Sequence, residues 1–303
     1  MGGRHAGHAG DCLVSLLVFG FGFTAQHGLE RFRSRFGTIS GTVRSPEKAQ
    51  RLSEAGVNAR LFGPDATEPD LGRDIAEATH ILLSIPPDQD GDPVLRRVEA
   101  DLAAARRLAW IGYLSTIGVY GDQGGAWVNE RALANPTSAR SRQRVRAEGE
   151  WLDFGRRTGV PVQVFRLAGI YGQGRNALVN LREGKAKRIA KPGQVFNRIH
   201  AAEIVSVLLA SMERPRAGAI YNVADDEPAA PQDVVAYAAA LLGVPAPPEI
   251  PFDQADMTPM ARSFYADNKR VSNRLIKEEL GVKLAYPTYR EGLRSLHAAG
   301  EGR

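Results

Sequence analysis

The residues Gly20-Phe21-Gly22-Phe23-Thr24-Ala25 set two glycines and a small third residue at the spacing G-x-G-x-x-A, after an apolar run and before a helical period. In that context the first glycine permits a tight turn and the second lets backbone approach a pyrophosphate. The small third residue lets a helix pack close, with its N-terminus facing the phosphates. A structural glycine turn would not require this strand before it, this helix after it and further alternations downstream, so dinucleotide binding is the better reading. The end of the second apolar run, GTVRSPEK, decides which dinucleotide. Thr42, Arg44, Ser45 and Lys48 stand there and no carboxylate does. An acid would hydrogen-bond the ribose 2′-hydroxyl of NAD, whereas an arginine accommodates a 2′-phosphate. NADP(H) is expected, with NAD(H) as the alternative.

Charge is the second chemical feature. The 303 residues carry 39 Lys plus Arg against 34 Asp plus Glu, a net +5, and only seven of the cations are lysine. Between Arg131 and Lys191 fourteen basic residues face four acidic ones, so the excess belongs to one segment. Such a block suits a polyanion, a small anionic ligand or a solvated helix face. No nucleic-acid module is visible and the arginines are not interleaved with stacking aromatics, so a small-molecule substrate is expected and nucleic acid is not. The single cysteine, Cys12, allows no internal disulfide and has no partner for a metal, which points to a reducing, cytoplasmic setting. The apolar stretch 13–23 follows Asp11 and contains two glycines. With no small-x-small cleavage site after it, it reads as a buried strand, not a signal peptide, and it is too short to span a bilayer.

These groups need a frame. Short apolar runs at 13–19, 38–43, 58–62, 80–85, 108–115 and 161–167 alternate with helical periods at 46–55, 93–106 and 138–158. Parallel strands need crossovers, and helices must cover both sheet faces, so the alternation specifies an α/β, Rossmann-type doubly wound parallel sheet. Past Leu167 Gly and Pro become frequent, a helical period spans 201–212, and 219–223 reads as one more strand of the same sheet. The expected organisation is a leader over 1–10, a nucleotide-binding domain over 11–170 joined by strand 219–223, and a smaller, mainly helical lobe over most of 171–303. The residues after Leu296 read as a frayed tail.

VFGFGFTA, GTVRS, LLSIPP (82–87), YLSTIGVYGDQGGAWVNE (113–130), FRLAGIYGQGRN (165–176), FNRIH (196–200), YNVADDEP (221–228) and SFYADNKRVSN (263–273) follow one another in order along nearly the whole chain. In these segments the chain resembles the extended, NAD-dependent epimerase/dehydratase form of the short-chain dehydrogenase/reductase superfamily, in a YeeZ-like branch. The resemblance implies that Ser84 and Pro86 lie beside the cofactor, Ala168 and Ile170 near its nicotinamide, and Ser115 and Thr116 at the strand end that binds substrate.

The family exchanges protons with a Tyr-x-x-x-Lys pair, residues four apart on one helix face whose ammonium lowers the phenol pKa. Aligning RVRAE (144–148) with the usual K-x-x-A-E puts Arg144 at the Lys position and Arg140 at the Tyr position. A guanidinium, with a pKa of roughly 12 or above, holds charge but exchanges no proton near neutrality. Arg144 is then expected to grip cofactor ribose or phosphates, and Arg140, Arg175 and Asn176 an anionic substrate. Tyr120 is the surviving acid candidate. The one Tyr-x-x-x-Lys match, Tyr265 and Lys269, falls outside the family's catalytic helix. His200 is expected at a structural strand-to-helix junction. Two functions compete: an oxidoreductase or epimerase-like enzyme acting on a carbonyl or hydroxyl of a small polar substrate, and a non-catalytic NADP(H)-binding or redox-sensing protein. A monomer or homodimer fits either.

Overall fold

The computed structural model describes residues 14–64 and 66–302; the expected leader, Cys12 and Leu13 lie outside the described residues. In chain order the first half comprises β1 (Ser15–Phe19), α1 (Phe23–Arg33), β2 (Thr38–Val43), α2 (Pro46–Glu54), β3 (Asn58–Gly63), β4 (Ala66–Thr67), α3 (Asp70–Glu77), β5 (His80–Leu83), α4 (Pro93–Ala104), β6 (Trp110–Thr116), β7 (Trp127–Val128) and α5 (Ala139–Thr158). The second comprises β8 (Val162–Leu167), β9 (Gly169–Tyr171), α6 (Ala177–Arg182), β10 (Arg188–Ala190), β11 (Arg198–His200), α7 (Ala201–Glu213), β12 (Ile220–Val223), α8 (Pro231–Leu242), β13 (Glu249–Pro251), α9 (Pro259–Phe264), β14 (Arg270–Val271), α10 (Arg274–Glu278) and α11 (Tyr289–Ala298).

The main sheet has the order β12-β8-β6-β5-β1-β2-β3-β4. All neighbours are parallel except β3 and β4. From β1 the chain builds outward through β2 and β3, then crosses back to β5 on the other side of β1. That reversal opens a crevice beyond the C-terminal ends of β1 and β5, where open α/β sheets bind ligands. One face of the sheet packs Leu16, Val18, Trp110 and Phe165 against α1 and α7 residues such as Phe32 and Leu208. The other packs Leu17, Phe19, Ile81 and Tyr113 against Val98, Trp151 and Phe154 of α4 and α5. Because strand side chains alternate, burying both faces explains why these strands read as continuous apolar runs.

The local signals are carried out as the residue types dictate. Ser45 caps α2, accepting from the Lys48 N–H, with Pro46 in the first turn. Asp92 caps α4 through the Val94 and Leu95 N–H groups. Ser138 starts α5 and Gly159, in the left-handed region at φ 77°, ends it.

The C-terminal portion is mainly helical, as expected, with short strands added to it. Among three parallel two-stranded pairs, β9 with β11 and β7 with β14 tie it to earlier segments, while β10 with β13 lies within it. Pairs of two or three residues carry too little periodicity to be read from sequence. The chain after Leu296 is also fastened where a frayed tail was expected. Glu301 accepts from the Gly174 N–H at 3.0 Å and from Asn176 Nδ2 at 2.8 Å. Among the described residues no helix is long and apolar enough to cross a membrane, and no His, Cys, Asp and Glu cluster could hold a metal ion.

Candidate functional site

The glycine turn stands at the sheet's reversal. Gly20 has φ +84°, and a Cβ there would come within 2.8 Å of Ile85 just beyond β5, so both the conformation and the close approach require glycine. Its N–H donates to Thr42 Oγ1 at 2.8 Å, and the Phe21 N–H donates to the Thr42 carbonyl at 2.8 Å. Thr42 therefore holds the turn from β2 and is itself buried. The Phe21 side chain points into the core against Gly41, where a Cβ would sit 2.4 Å from its ring. Gly22 occupies the N-cap of α1 without a side-chain cap, and a Cβ on it would meet nothing closer than the Gly20 carbonyl at 3.7 Å. The first-turn N–H groups of α1 thus open into the crevice with the positive end of the helix dipole, the arrangement a pyrophosphate needs. Thr24 and Ala25 are buried behind the turn. Phe23 packs against His27 with the rings tilted by 45° and lies under the Arg175 guanidinium, 5.6 Å from the ring centroid.

Arg44 is exposed at the end of β2, with Ser45 and Lys48 half-buried beside it. The Arg44 stem passes 3.9 Å from where a Gly63 Cβ would be. No carboxylate stands on this strand end, so a phosphate there would meet a cation and no anion from β2. Ser84, half-buried, donates its N–H to the Phe19 carbonyl at 2.9 Å, and Pro86 is exposed. Ala168 is buried with its N–H on the Val223 carbonyl at 3.0 Å, and Ile170 is half-buried.

The end of β6 holds residues the sequence singled out, in unequal positions. The Ser115 hydroxyl is buried and donates to Glu148 Oε1. Glu148 forms a buried ion pair with Arg166, whose Nη2 lies 2.7 Å from Oε2. Burial opposes the Arg166 charge, yet the hydrogen bonds and field of Glu148 hold its pKa above the ordinary arginine value. Thr116 is half-buried, and its Oγ1 accepts from the Gly118 N–H at 3.1 Å, leaving its own O–H to donate. Tyr120 is fully buried, donating to Asn222 Oδ1 at 2.7 Å with Arg166 4.8 Å from its ring centroid. Burial raises its pKa and Arg166 opposes the shift only in part.

On α5, Arg144 donates Nη1 to the Tyr113 hydroxyl at 3.1 Å and to the Leu114 carbonyl at 2.7 Å, and Arg140 is exposed. Arg142 and Arg146 are exposed, Arg146 pairing with Glu150 at 2.7 Å. Asn176 caps α6, accepting from the Leu178 and Val179 N–H groups and donating to the Gly172 carbonyl and to Glu301. All of its hydrogen-bonding capacity is engaged in holding the loop that carries Arg175. His200 caps α7 at the expected junction. Tyr265 and Lys269 are buried in the C-terminal portion, where Lys269 pairs with Asp267.

The buried Glu148–Arg166 pair and the Tyr120–Asn222 bond were not read from the sequence. The signal was Arg166 itself, a cation inside the otherwise buried run 162–167, which must find a partner.

No family model matches the chain. It is 25% identical to Escherichia coli protein YeeZ over 288 residues, covering 91% of this chain and 97% of YeeZ. It is 49% identical to a functionally unknown conserved protein from Silicibacter pomeroyi DSS, with a TM-score of 0.87 over 95% of this chain and 99% of that one. Solved epimerases and dehydratases, two of them in complex with NAD, share the fold. One of them is the dTDP-glucose 4,6-dehydratase of Bacillus anthracis in complex with NAD, at 17% identity and a TM-score of 0.74 over 95% of this chain and 97% of that one. The fold is that of the NAD-dependent epimerases and dehydratases, and the likeness to YeeZ runs almost end to end.

Proposed function

We propose that this protein binds NADP(H) in the crevice beyond β1, β2 and β5 and acts on a carbonyl or hydroxyl of a small polar substrate, without the Tyr-x-x-x-Lys pair. One observation carries the reading. The Gly20 to Gly22 turn and the uncapped N-terminus of α1 stand at the sheet's reversal, and β2 ends beside them in exposed Arg44 in place of a carboxylate. The nicotinamide neighbours in the fold support a nicotinamide cofactor.

Bound there, the cofactor would supply or accept the hydride. Thr116 has the exposure and the free O–H to polarise a substrate oxygen, and Arg140 offers a fixed positive charge on the neighbouring helix. Ser115 would position α5 against β6 through Glu148.

A second reading, a non-catalytic NADP(H)-binding or sensing protein, is favoured by the same region. The Ser115 and Tyr120 hydroxyls both donate inward, to Glu148 and Asn222, and arginines stand where the family keeps its proton-transfer pair. NADPH absorbance followed with a panel of aldehydes, ketones and nucleotide sugars separates the two. Saturable turnover of at least one panel member, lowered in Thr116→Ala, supports the enzyme. Tight NADPH binding with no turnover supports the sensor.

A further inference from the structure

The pair β9–β11 separates two environments. Ile170 and Ile199 face the main core, while Tyr171, Arg198 and His200 alternate onto the opposite face, toward α6, α8 and α11. On that second face lies a cavity of about 360 Å³ lined by Arg198, Tyr171, Asn180, Val234, Tyr289 and Leu293, with Arg175 and Glu183 among its other walls. Its size is within the range that holds small organic ligands, roughly 300–1,000 Å³.

Arg198 is the unusual wall. Its Nη1 donates to the Phe196 carbonyl at 2.9 Å and the Ala229 carbonyl at 3.1 Å. Among the described residues it forms no ion pair with a carboxylate, and its Nε and Nη2 make no hydrogen bond. Gly169 stands opposite it in register, and the Phe196 ring centroid lies 6.0 Å from its guanidinium carbon. Burial lowers the Arg198 pKa and the nearby Asp225 opposes that shift, while burial raises the Asp225 carboxyl, which makes no ion pair with Arg198. Arg198 is half-buried with part of its guanidinium toward the cavity, and an anion arriving there would meet it with charge-assisted hydrogen bonds. Val234, Leu293 and the Tyr289 ring give the cavity an apolar side, and Arg175, Asn176 and Asn180 give it a polar one. Glu183, exposed at the mouth, disfavours a second negative charge.

We infer that this cavity is a binding site for a small molecule with one anionic head group, carboxylate or phosphate monoester, on a short apolar body, the head held by Arg198. The site is distinct from the nucleotide crevice, on the other side of β9–β11 from the main core. It adjoins that crevice through Arg175, which lines the cavity while its guanidinium lies over Phe23 of the phosphate-binding turn, and through Ile170, which also lines it.

Calorimetric titration of the full chain with hexanoate and, separately, with hexyl phosphate tests this and shows which head group is preferred. At least one probe should saturate with a Kd of about 1 mM or tighter. Arg198→Met should weaken it roughly 10- to 100-fold, the loss of a charge-assisted bond. Asn180→Trp, at an exposed position on α6 that does not contribute to the core, should block the cavity to a similar degree and guards against misfolding of the first variant. NADPH affinity of Asn180→Trp should equal that of the unaltered protein, so this result does not depend on the proposed cofactor. Failure of both probes to saturate, or binding retained in Arg198→Met, would overturn the assignment.

Discussion

Replacing Tyr120 by Phe distinguishes a packing tyrosine from a proton donor. The phenol is fully buried and donates to Asn222 Oδ1 at 2.7 Å, while Asn222 Nδ2 donates to the Ser272 carbonyl at 3.2 Å. Deleting the hydroxyl leaves Oδ1 a buried acceptor without its donor, which costs about 1–3 kcal/mol. The phenyl ring keeps its place beneath Arg166, so packing and the cation–π contact are retained. At an unfolding entropy of about 2.1 cal/mol/K per residue, each kcal/mol lowers the Tm of this chain by about 1.6 °C. Thermal unfolding and NADPH-dependent turnover of the same preparation read both quantities. The structure predicts a measurably lower Tm with turnover and NADPH affinity close to those of the unaltered protein. Loss of a general acid would instead lower turnover about 100- to 10,000-fold. A fall of that size with an unchanged Tm would refute the structural role and restore Tyr120 as the acid.

Four further outcomes follow from named residues. Arg44→Asp should weaken NADPH by roughly 10- to 100-fold while NADH is unchanged or tighter, as a phosphate contact becomes a repulsion; an unaltered NADPH-to-NADH affinity ratio would remove Arg44 from the site. Gly292→Ala should destabilise by about 1–3 kcal/mol in denaturant unfolding, because its Cβ would come 2.1 Å from the Tyr171 hydroxyl oxygen. Gly149→Ala, with nothing within 4 Å in the middle of α5, should be neutral or gain up to about 1 kcal/mol. Asp225 keeps its proton up to a pKa of about 8 in the folded chain against 3.8 as its ordinary value, so the unfolded state binds fewer protons between those limits and stability from this group falls as pH rises. Asp225→Asn should therefore flatten the decline in stability between pH 5 and pH 8, as followed by unfolding at a series of pH values, and an unaltered slope would count against the buried carboxyl.

The main sheet was legible because its strands are buried on both faces and its helices are amphipathic, so periodicity and burial agree from Ser15 to Leu167. The glycine turn was legible for a sharper reason: Gly20 is required both by φ and by Ile85, and its sequence neighbours on either side already form strand and helix. What the sequence withheld depends on side chains meeting across long separations. Tyr120 and Asn222 are 102 residues apart, and the fastening of Gly174 by Glu301 spans 127. The short pairs such as β9–β11 have no pattern of their own, so Arg198 was not separated from the other arginines of the chain. The basic segment likewise resolves only in three dimensions. Arg166 neutralises a buried carboxylate, Arg146 a surface one, Arg144 holds the end of β6 and Arg140 remains exposed.

Titration of the unaltered protein with NADPH and with NADH, by nucleotide fluorescence at low and at raised ionic strength, addresses the nucleotide crevice directly. Saturable NADPH binding, tighter than NADH and weakened by added salt as an exposed Arg44–phosphate contact should be, is the predicted result. Equal failure of both nucleotides to bind at about 1 mM would contradict it, since the turn at Gly20 and Gly22 would then be a structural feature alone.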